Sequence, residues 1–165
     1  MKKIFLIILL FTLKSFSQEI VSNDDIYLID NLAYKKSDSK LFTGKIQKFK
    51  NNDHLKYEVE FEQGILKKNT LYFNGKEKII AEETYYFYKT LKVEKKITYS
   101  LDHTMLWIKH YDLSENLKLD EIYENDILIY TCSYLNNKKQ GVQFSIDKKG
   151  VKHECFYENG KRIKK

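Results

Sequence analysis

Apolar and polar residues alternate along much of the chain, and this alternation predicts β-strands. Residues 57–61 (Tyr-Glu-Val-Glu-Phe) place three apolar side chains on one face and two carboxylates on the other. Val151, His153, Cys155 and Tyr157 share a face in the same way. Beyond the N-terminal segment, no stretch has a helical period long enough to predict a helix. The pattern therefore predicts an all-β fold.

Aromatic or apolar residues recur every 11–14 positions from Phe49 to Tyr157. They are Phe49, Phe61, Tyr72, Tyr85, Tyr99, Tyr111, Tyr123, Tyr134, Ile146 and Tyr157. One strand and its turn fill about 8–12 residues, and paired steps of about 23 residues are typical of repeat architectures. We therefore predict an open antiparallel β-meander of stacked hairpins, which forms one elongated, twisted sheet.

Turn-forming residues separate these predicted strands. Residues 157–160 (Tyr-Glu-Asn-Gly) are the clearest case, because an Asn-Gly pair suits the positive φ angles of a type I′ turn. Clear repeats begin at about residue 41, after short strands expected at residues 26–29 and 32–34. Residues 18–25 are polar, and we expect them to form a loose entry segment.

The first residues have the pattern of a secretory signal peptide. A basic start and ten mostly apolar residues at 4–13 precede small residues at positions −3 and −1 of a cut between Ser17 and Gln18. Ten residues are too few to span a bilayer, which needs about 20. We predict that residues 1–17 are removed and that 18–165 form a single domain. The protein is then exported to the periplasm, the cell envelope or the medium.

Composition and charge narrow the class of partner. The chain has no proline, 13 tyrosines and 10 phenylalanines, which favours strands. Loss of the predicted signal peptide lowers the net charge from +6 to +3, because it holds three lysines and no acids. The remaining charges are interleaved in sign, as on solvated strand faces, so we expect no nucleic-acid partner.

The two cysteines occupy equivalent positions one hairpin apart. In a sequential meander Cys132 and Cys155 are separated by two strand spacings, roughly 9.5 Å at about 4.8 Å each. Disulfide Cα atoms are usually less than about 7 Å apart, so we predict two free thiols. His153 shares a face with Cys155, and together with Cys132 these side chains could supply three ligands to a zinc ion. A closed zinc site needs four, and no fourth is evident, so we predict no metal site.

Motifs that carry catalysis are not evident. Glu82 and Glu83 are adjacent and point to opposite faces of a strand, so they form no acid/base pair. The chain has no Gly-x-Ser-x-Gly elbow and no glycine-rich phosphate loop. We interpret the protein as non-enzymatic and without a cofactor, with a hydrolase as a remaining alternative.

One group of aromatic residues is the candidate for a partner-binding surface. Tryptophan and tyrosine favour binding hot spots because they bury a large area at little entropic cost. The candidates are Tyr85, Tyr86, Tyr88, Trp107, His110 and Tyr111. The alternative is that Tyr85, Trp107 and Tyr111 belong to the core.

Residues 32–46 (Leu-Ala-Tyr-Lys-Lys-Ser-Asp-Ser-Lys-Leu-Phe-Thr-Gly-Lys-Ile) resemble the entry motif of MORN-repeat-variant proteins, the bacterial YwqK-type antitoxin family. Residues 74–76 (Asn-Gly-Lys) and 157–161 resemble its hairpin unit, Tyr-x-Asn-Gly-Lys. The resemblance covers roughly residues 30–165. The resemblance implies a twisted antiparallel sheet that is used for binding. It also implies a role in toxin neutralisation.

We therefore expect an exported binding module that engages a protein partner, as antitoxins and immunity proteins do. Export favours protection from something delivered to the periplasm over neutralisation of a cytoplasmic toxin. The alternative is a structural or lipid- or glycan-binding repeat protein of the cell envelope. Contact with a membrane or envelope surface stays open, and so does a homodimer formed through an edge strand.

Overall fold

The computed structural model describes residues 19–164, which form an all-β structure with one short 3-10 helix at Asn23–Asp25. The strands in chain order are β1 (Glu19–Val21), β2 (Ile26–Ile29), β3 (Leu32–Lys35), β4 (Gly44–Phe49), β5 (Leu55–Glu62), β6 (Ile65–Tyr72), β7 (Ile80–Tyr86), β8 (Val93–Tyr99), β9 (Met105–Tyr111), β10 (Leu117–Glu124), β11 (Ile127–Leu135), β12 (Lys138–Ile146), β13 (Lys152–Glu158) and β14 (Lys161–Ile163). The all-β prediction is confirmed. The predicted signal peptide and its cleavage site lie outside the described residues.

Backbone hydrogen bonds join the strands into one open sheet. From β4 to β14, each strand pairs antiparallel with the next strand in the chain. This order confirms the predicted meander of hairpins. Two features are added to it: β1 lies parallel to β4, and the β2–β3 hairpin leaves the path and pairs with β6 through Leu32 and Ile65.

Tight turns join several of the strands, and their dihedral angles agree with the sequence signals. Asn159 and Gly160 both have positive φ, 50° and 84°, as a type I′ turn requires. The same pair of positive φ angles occurs at residues 125–126 and 136–137. Residues 74–75 differ despite their Asn-Gly sequence, because they lie in a longer connection between β6 and β7.

The N-terminal entry is ordered, so the expectation of a loose segment at residues 18–25 is wrong for its described part. β1 pairs with β4, and the Ser22 hydroxyl then caps the 3-10 helix by accepting a hydrogen bond from Asp24 N at 3.3 Å. Gly44 allows this pairing, because a Cβ at its φ of 155° would collide with the Glu19 carbonyl oxygen. β1 is only three residues long and is followed by polar residues, so its sequence gives little sign of a strand that is held through its backbone.

Fully buried apolar side chains are concentrated at the N-terminal end of the sheet. Ala33 and Phe42, from the β2–β3 hairpin and the segment after it, are fully buried. They pack with Ile46, Phe61 and Leu66 of β4, β5 and β6. The Phe42 and Phe61 ring centroids are 5.9 Å apart. This end of the molecule therefore has two layers.

The rest of the sheet is a single layer. Between Tyr85 and Lys164, Cys132 is the one buried residue. Large apolar side chains such as Ile127 and Val142 are 62% and 50% exposed. Since none of the described residues forms a second layer over this region, its order depends on hydrogen-bond ladders and cross-strand side-chain pairs.

The strand register defines two faces, because directly paired residues point to the same side. We name the tryptophan face by one row of paired residues, Glu82, Thr98, Trp107, Ile122 and Tyr130. We name the glutamate face by the neighbouring row, Glu83, Ile97, Ile108, Glu121 and Thr131. The N-terminal core lies on the tryptophan face, since Ile46 and Val59 continue that side into β4 and β5.

Replacement of Phe42 tests the importance of the two-layered end. We expect Phe42→Ala to lower the free energy of unfolding by about 3–5 kcal/mol, because it leaves a cavity among buried side chains. Urea unfolding followed by tyrosine fluorescence measures the loss.

Phe49→Ala is the matched control, because Phe49 is 46% exposed at the end of β4. We expect it to cost about 1 kcal/mol or less. Equal losses for the two variants would contradict a core concentrated around Phe42.

Candidate functional site

The six predicted partner-binding residues are divided between the two faces. Tyr85 and His110 are both paired with Lys95 and therefore lie on the glutamate face. Trp107 and Tyr111 alternate with His110 along β9 and lie on the tryptophan face. The structure thus separates these residues into two groups, and their role in binding stays a prediction.

Tyr86 shares the tryptophan face, because it alternates with Tyr85 along β7, whereas Tyr88 lies on neither face. Tyr86 packs against the N-terminal core, and Tyr88 follows β7 in a turn, where it is 69% exposed. Trp107 and Tyr111 are half-buried, so they are neither core residues nor fully exposed surface residues. This intermediate burial follows from the single layer, because neighbouring strands cover the sides of an aromatic ring and leave its outer part accessible.

Trp107 borders a shallow depression of about 270 Å³ on the tryptophan face. The depression is lined by Lys96 and Thr98 of β8 and by Trp107, Lys109 and Tyr111 of β9. Aromatic rings beside ammonium and hydroxyl groups suit a ligand group that is apolar on one side and polar at its edge.

The charges of this depression are nearly balanced. Lys96 and Lys109 lie directly opposite each other on β8 and β9. Lys96 Nζ is 2.7 Å from Glu82 Oε2, and Lys109 is directly opposite Asp120 in β10. Burial raises the pKa of Asp120, and the charge of Lys109 opposes this rise. The depression therefore carries little net charge, and its shape and its aromatic side chains are its main features.

On the glutamate face, Glu83 is a buried carboxylate with three side-chain donors. Lys68 Nζ donates to Oε1 at 2.7 Å, and Tyr99 Oη donates to Oε2 at 2.7 Å. Tyr85 Oη donates to the same Oε2 at 3.2 Å. Lys68 and Lys95 also lie over the Tyr85 ring, at 5.8 and 4.5 Å from its centroid. The predicted site residue Tyr85 is thus part of an internal polar network.

The network controls the ionisation of Glu83. Burial alone would raise its pKa, but hydrogen bonds from Lys68 and Tyr99, together with the Lys68 charge, outweigh burial and lower it below the ordinary value. Burial and the Glu83 carboxylate raise the pKa of Tyr99 and of Tyr85. Glu83 is therefore ionised and its tyrosine donors are neutral at physiological pH.

Two further carboxylates on the glutamate face repeat this arrangement. Glu58 accepts hydrogen bonds from Gln47 at 2.6 Å and Lys45 at 3.2 Å. Glu121 accepts a hydrogen bond from Tyr123 Oη at 3.2 Å, and His110 Nε2 lies 3.2 Å from its other oxygen. Each acid has donors on its own or an adjacent strand, which is how a thin sheet stabilises partly buried charge.

Cys132 and Cys155 lie on the tryptophan face with Gln143 between them, because Gln143 is paired with each. The two cysteines are therefore two strands apart, as the prediction of free thiols assumed. Both thiols are free in the structure. Their redox state in the cell stays a prediction.

Within residues 19–164, no three His, Cys, Asp or Glu side chains are grouped so that they could hold a metal ion. The same residues include no helix with the length and apolar character needed to cross a membrane. A scan of protein-family models and a search of curated proteins give no match to the chain.

Sequence reasoning selected Trp107 and Tyr111 of the depression as candidates but not Lys96 or Lys109, and it considered Glu83 only as a neighbour of Glu82. These three are ordinary charged residues of alternating strands, and nothing local distinguishes them. A register derived from turn positions would have placed Lys96 opposite Lys109, since the β8–β9 pairing has no bulge. Bulges in the β7–β8 and β6–β7 pairings make such counting fail on the other side of β8.

Glu83→Gln tests the polar network through the pH dependence of stability. We expect the free energy of unfolding at pH 7 to fall by about 2–3 kcal/mol, because Lys68 loses its ionised partner. The folded pKa of Glu83 lies below its unfolded value, so this contribution is present above the unfolded pKa and is lost as pH falls through the folded one. The difference between wild type and variant should therefore shrink below about pH 4. Urea unfolding across this pH range measures it.

Glu62→Gln is the control, because Glu62 pairs with Lys67 at 3.2 Å with two thirds of its side chain exposed. An exposed pair contributes about 0.5 kcal/mol or less. A loss for Glu83→Gln that is equally small, or that does not change with pH, would contradict the stabilising role of Glu83.

Proposed function

We propose that the protein is an exported, non-enzymatic binding module of the MORN-variant type, and that its mature chain binds a protein partner. The supporting observation is the single-layered sheet from β8 to β14, which leaves both faces accessible. Half-buried aromatic side chains on an accessible face are suited to burial by a partner.

The tryptophan face around Trp107 is the proposed contact surface. Protein interfaces combine an aromatic centre with a polar rim that pairs with the partner. Trp107 and Tyr111 would form the centre, and Lys96, Thr98 and Lys109 the rim. The nearly balanced charge of this surface suits a protein rather than a polyanion.

An antitoxin or immunity role is the proposed biological setting. It rests on the resemblance of residues 32–46 and 157–161 to MORN-variant motifs. The signal-like N-terminus then places the protein in the periplasm or cell envelope, where it would neutralise a protein delivered there.

Binding to an envelope surface is the second candidate function. It is favoured by residues 138–164, which contain eight Lys or Arg and three Asp or Glu, a net charge of +5. Basic residues beside exposed apolar ones favour contact with anionic lipid or glycan surfaces.

Export predicts a defined N-terminus. Protein isolated from the envelope should begin at Gln18, because residues 4–13 direct export and Ser17 ends the cleavage motif. Intact-mass spectrometry of the isolated protein measures this. A chain that retains residues 1–17 and stays in the cytoplasm would contradict export.

Affinity capture from native envelope tests partner binding. We expect the tagged wild-type protein to retain one protein in a stoichiometric amount, and the Trp107→Ala/Tyr111→Ala variant to lose it, because the aromatic centre is removed. Quantitative mass spectrometry of the eluates measures retention.

Ile108→Ala is the matched control, since Ile108 follows Trp107 in β9 and lies on the glutamate face. Thermal unfolding of each variant verifies folding. Equal loss from folded Ile108→Ala would overturn the tryptophan face as the contact. Retention of lipid or glycan without a protein would overturn binding of a protein partner in favour of binding to an envelope surface.

A further inference from the structure

The last hairpin leaves part of the sheet edge uncovered. β13 spans Lys152–Glu158, whereas β14 spans Lys161–Ile163. β14 pairs with β13 from Glu158 to Phe156. Residues 152–155 of β13 therefore have no strand on their outer side within the part of the chain that the structure describes. We call this segment the open edge.

The hydrogen-bonding pattern shows which backbone groups face outward at the open edge. Glu158 and Lys161 flank a two-residue turn, so they form a hydrogen-bonded pair. Alternate residues of β13 direct their N–H and C=O groups to the same side, which gives Phe156, Glu154 and Lys152. Phe156 is paired with Ile163, so Glu154 and Lys152 carry the outward groups of the open edge.

An exposed apolar row lies beside the open edge on the glutamate face. Val142, Phe156 and Ile163 are paired in succession across β12, β13 and β14. They are 50%, 36% and 38% exposed. All three border a depression of about 340 Å³, together with Glu154 of the open edge. Outward backbone groups and an apolar row thus occur at one place.

Basic side chains lie on the opposite face of the same edge. Arg162 is paired with Tyr157, and Lys164 lies two residues further along, so both belong to the tryptophan face. Both line the same depression and are exposed. A strand lying along this edge would run beside Lys152 and Glu154 on the glutamate face. At the end nearest β14 it would meet Phe156 and Ile163 on that face and Arg162 and Lys164 on the other.

We propose that the open edge binds an extended acidic segment of a protein partner by strand addition. The segment would alternate apolar residues, which contact Val142, Phe156 and Ile163, with Asp or Glu, which face Arg162 and Lys164. Backbone hydrogen bonds supply part of the affinity in strand addition, and the alternating side chains supply specificity. The inference rests on the proposed function, since it names the chemistry of the protein partner.

The chain already contains a pairing of this kind. β5 alternates apolar and acidic residues, and it pairs with the basic strand β4. Across that pair, Lys45 Nζ lies 3.2 Å from Glu58 Oε1. The last hairpin offers a similar basic and apolar alternation: Lys161 is paired with Glu158 of β13, whereas Arg162 is paired with Tyr157 and Ile163 with Phe156.

A second copy of the chain fits this edge less well. The hairpin that flanks the open edge carries Lys161, Arg162 and Lys164, so a second copy would bring a hairpin of like charge towards it, and like charges repel. Basic residues on an edge strand oppose such self-pairing while they attract an acidic segment. Charge complementarity therefore favours the acidic partner.

Binding of labelled peptides to the purified, exported protein tests the inference by fluorescence anisotropy. The probe is a short peptide that alternates glutamate and valine. We expect it to bind, and Arg162→Glu/Lys164→Glu to weaken it by about tenfold or more. The lysine–valine counterpart should bind the wild type at least about tenfold more weakly and gain affinity for the variant. Lys76→Glu/Lys78→Glu is the control, because it reverses two exposed charges far along the chain, between β6 and β7.

N-methylation at alternate residues of the probe separates strand addition from simple charge attraction. It removes backbone donors and should abolish binding if the peptide adds as a strand. Retained affinity, or equal loss with the control variant, would overturn the inference. Analytical sedimentation tests self-association. If the wild type associates with itself in a concentration-dependent way and Arg162→Glu/Lys164→Glu does not, a second copy occupies the edge and the inference is overturned. If the Arg162→Glu/Lys164→Glu variant still captures a protein partner, the open edge is not the binding site and only this inference is overturned. If the peptide binds but no protein partner is captured, the result counts against the proposed function.

Discussion

The backbone hydrogen-bond ladder is the interaction on which the rest of this structure depends. From β8 onward no second layer formed by residues 19–164 buries either face, so this part of the sheet lacks the apolar core that stabilises most small domains. Each strand is held by its two neighbours and by pairs of side chains that half-bury one another. The molecule is therefore built like a repeat protein, in which contacts are local along the sheet.

This constraint explains the polar character of the glutamate face. The N-terminal core packs on the tryptophan face, so among the described residues the side of the sheet that bears Glu83 has no layer against it. Here Lys68 and Tyr99 complete the hydrogen bonds of a carboxylate that neighbouring strands alone have buried. Cross-strand polar contacts replace some of the interlayer packing, and they tie stability to the ionisation of a few acids.

The two ends of the sheet solve the edge problem in different ways. At the N-terminal end, the edge strand β1 is only three residues long, and the β2–β3 hairpin covers a face of the sheet, where Phe42 closes a small core. At the C-terminal end, β14 covers only part of β13, and exposed cations lie beside the uncovered part. An accessible middle, one two-layered end and one basic end are consistent with a module that works by binding.

The sequence by itself determined the strands, their order and most tight turns, because alternation and turn chemistry act over a few residues. Asn159 and Gly160 could be read in this way, as could the aromatic character around Trp107. Tertiary structure alone decided which side chains meet, since a single bulge changes the face of every residue beyond it. That is why the six candidate residues proved to lie on two faces and at a turn, and why the contacts of Glu83 with Lys68 were not foreseen. β1 was missed for another reason: it is only three residues long, too short to show an alternating pattern, and polar residues follow it.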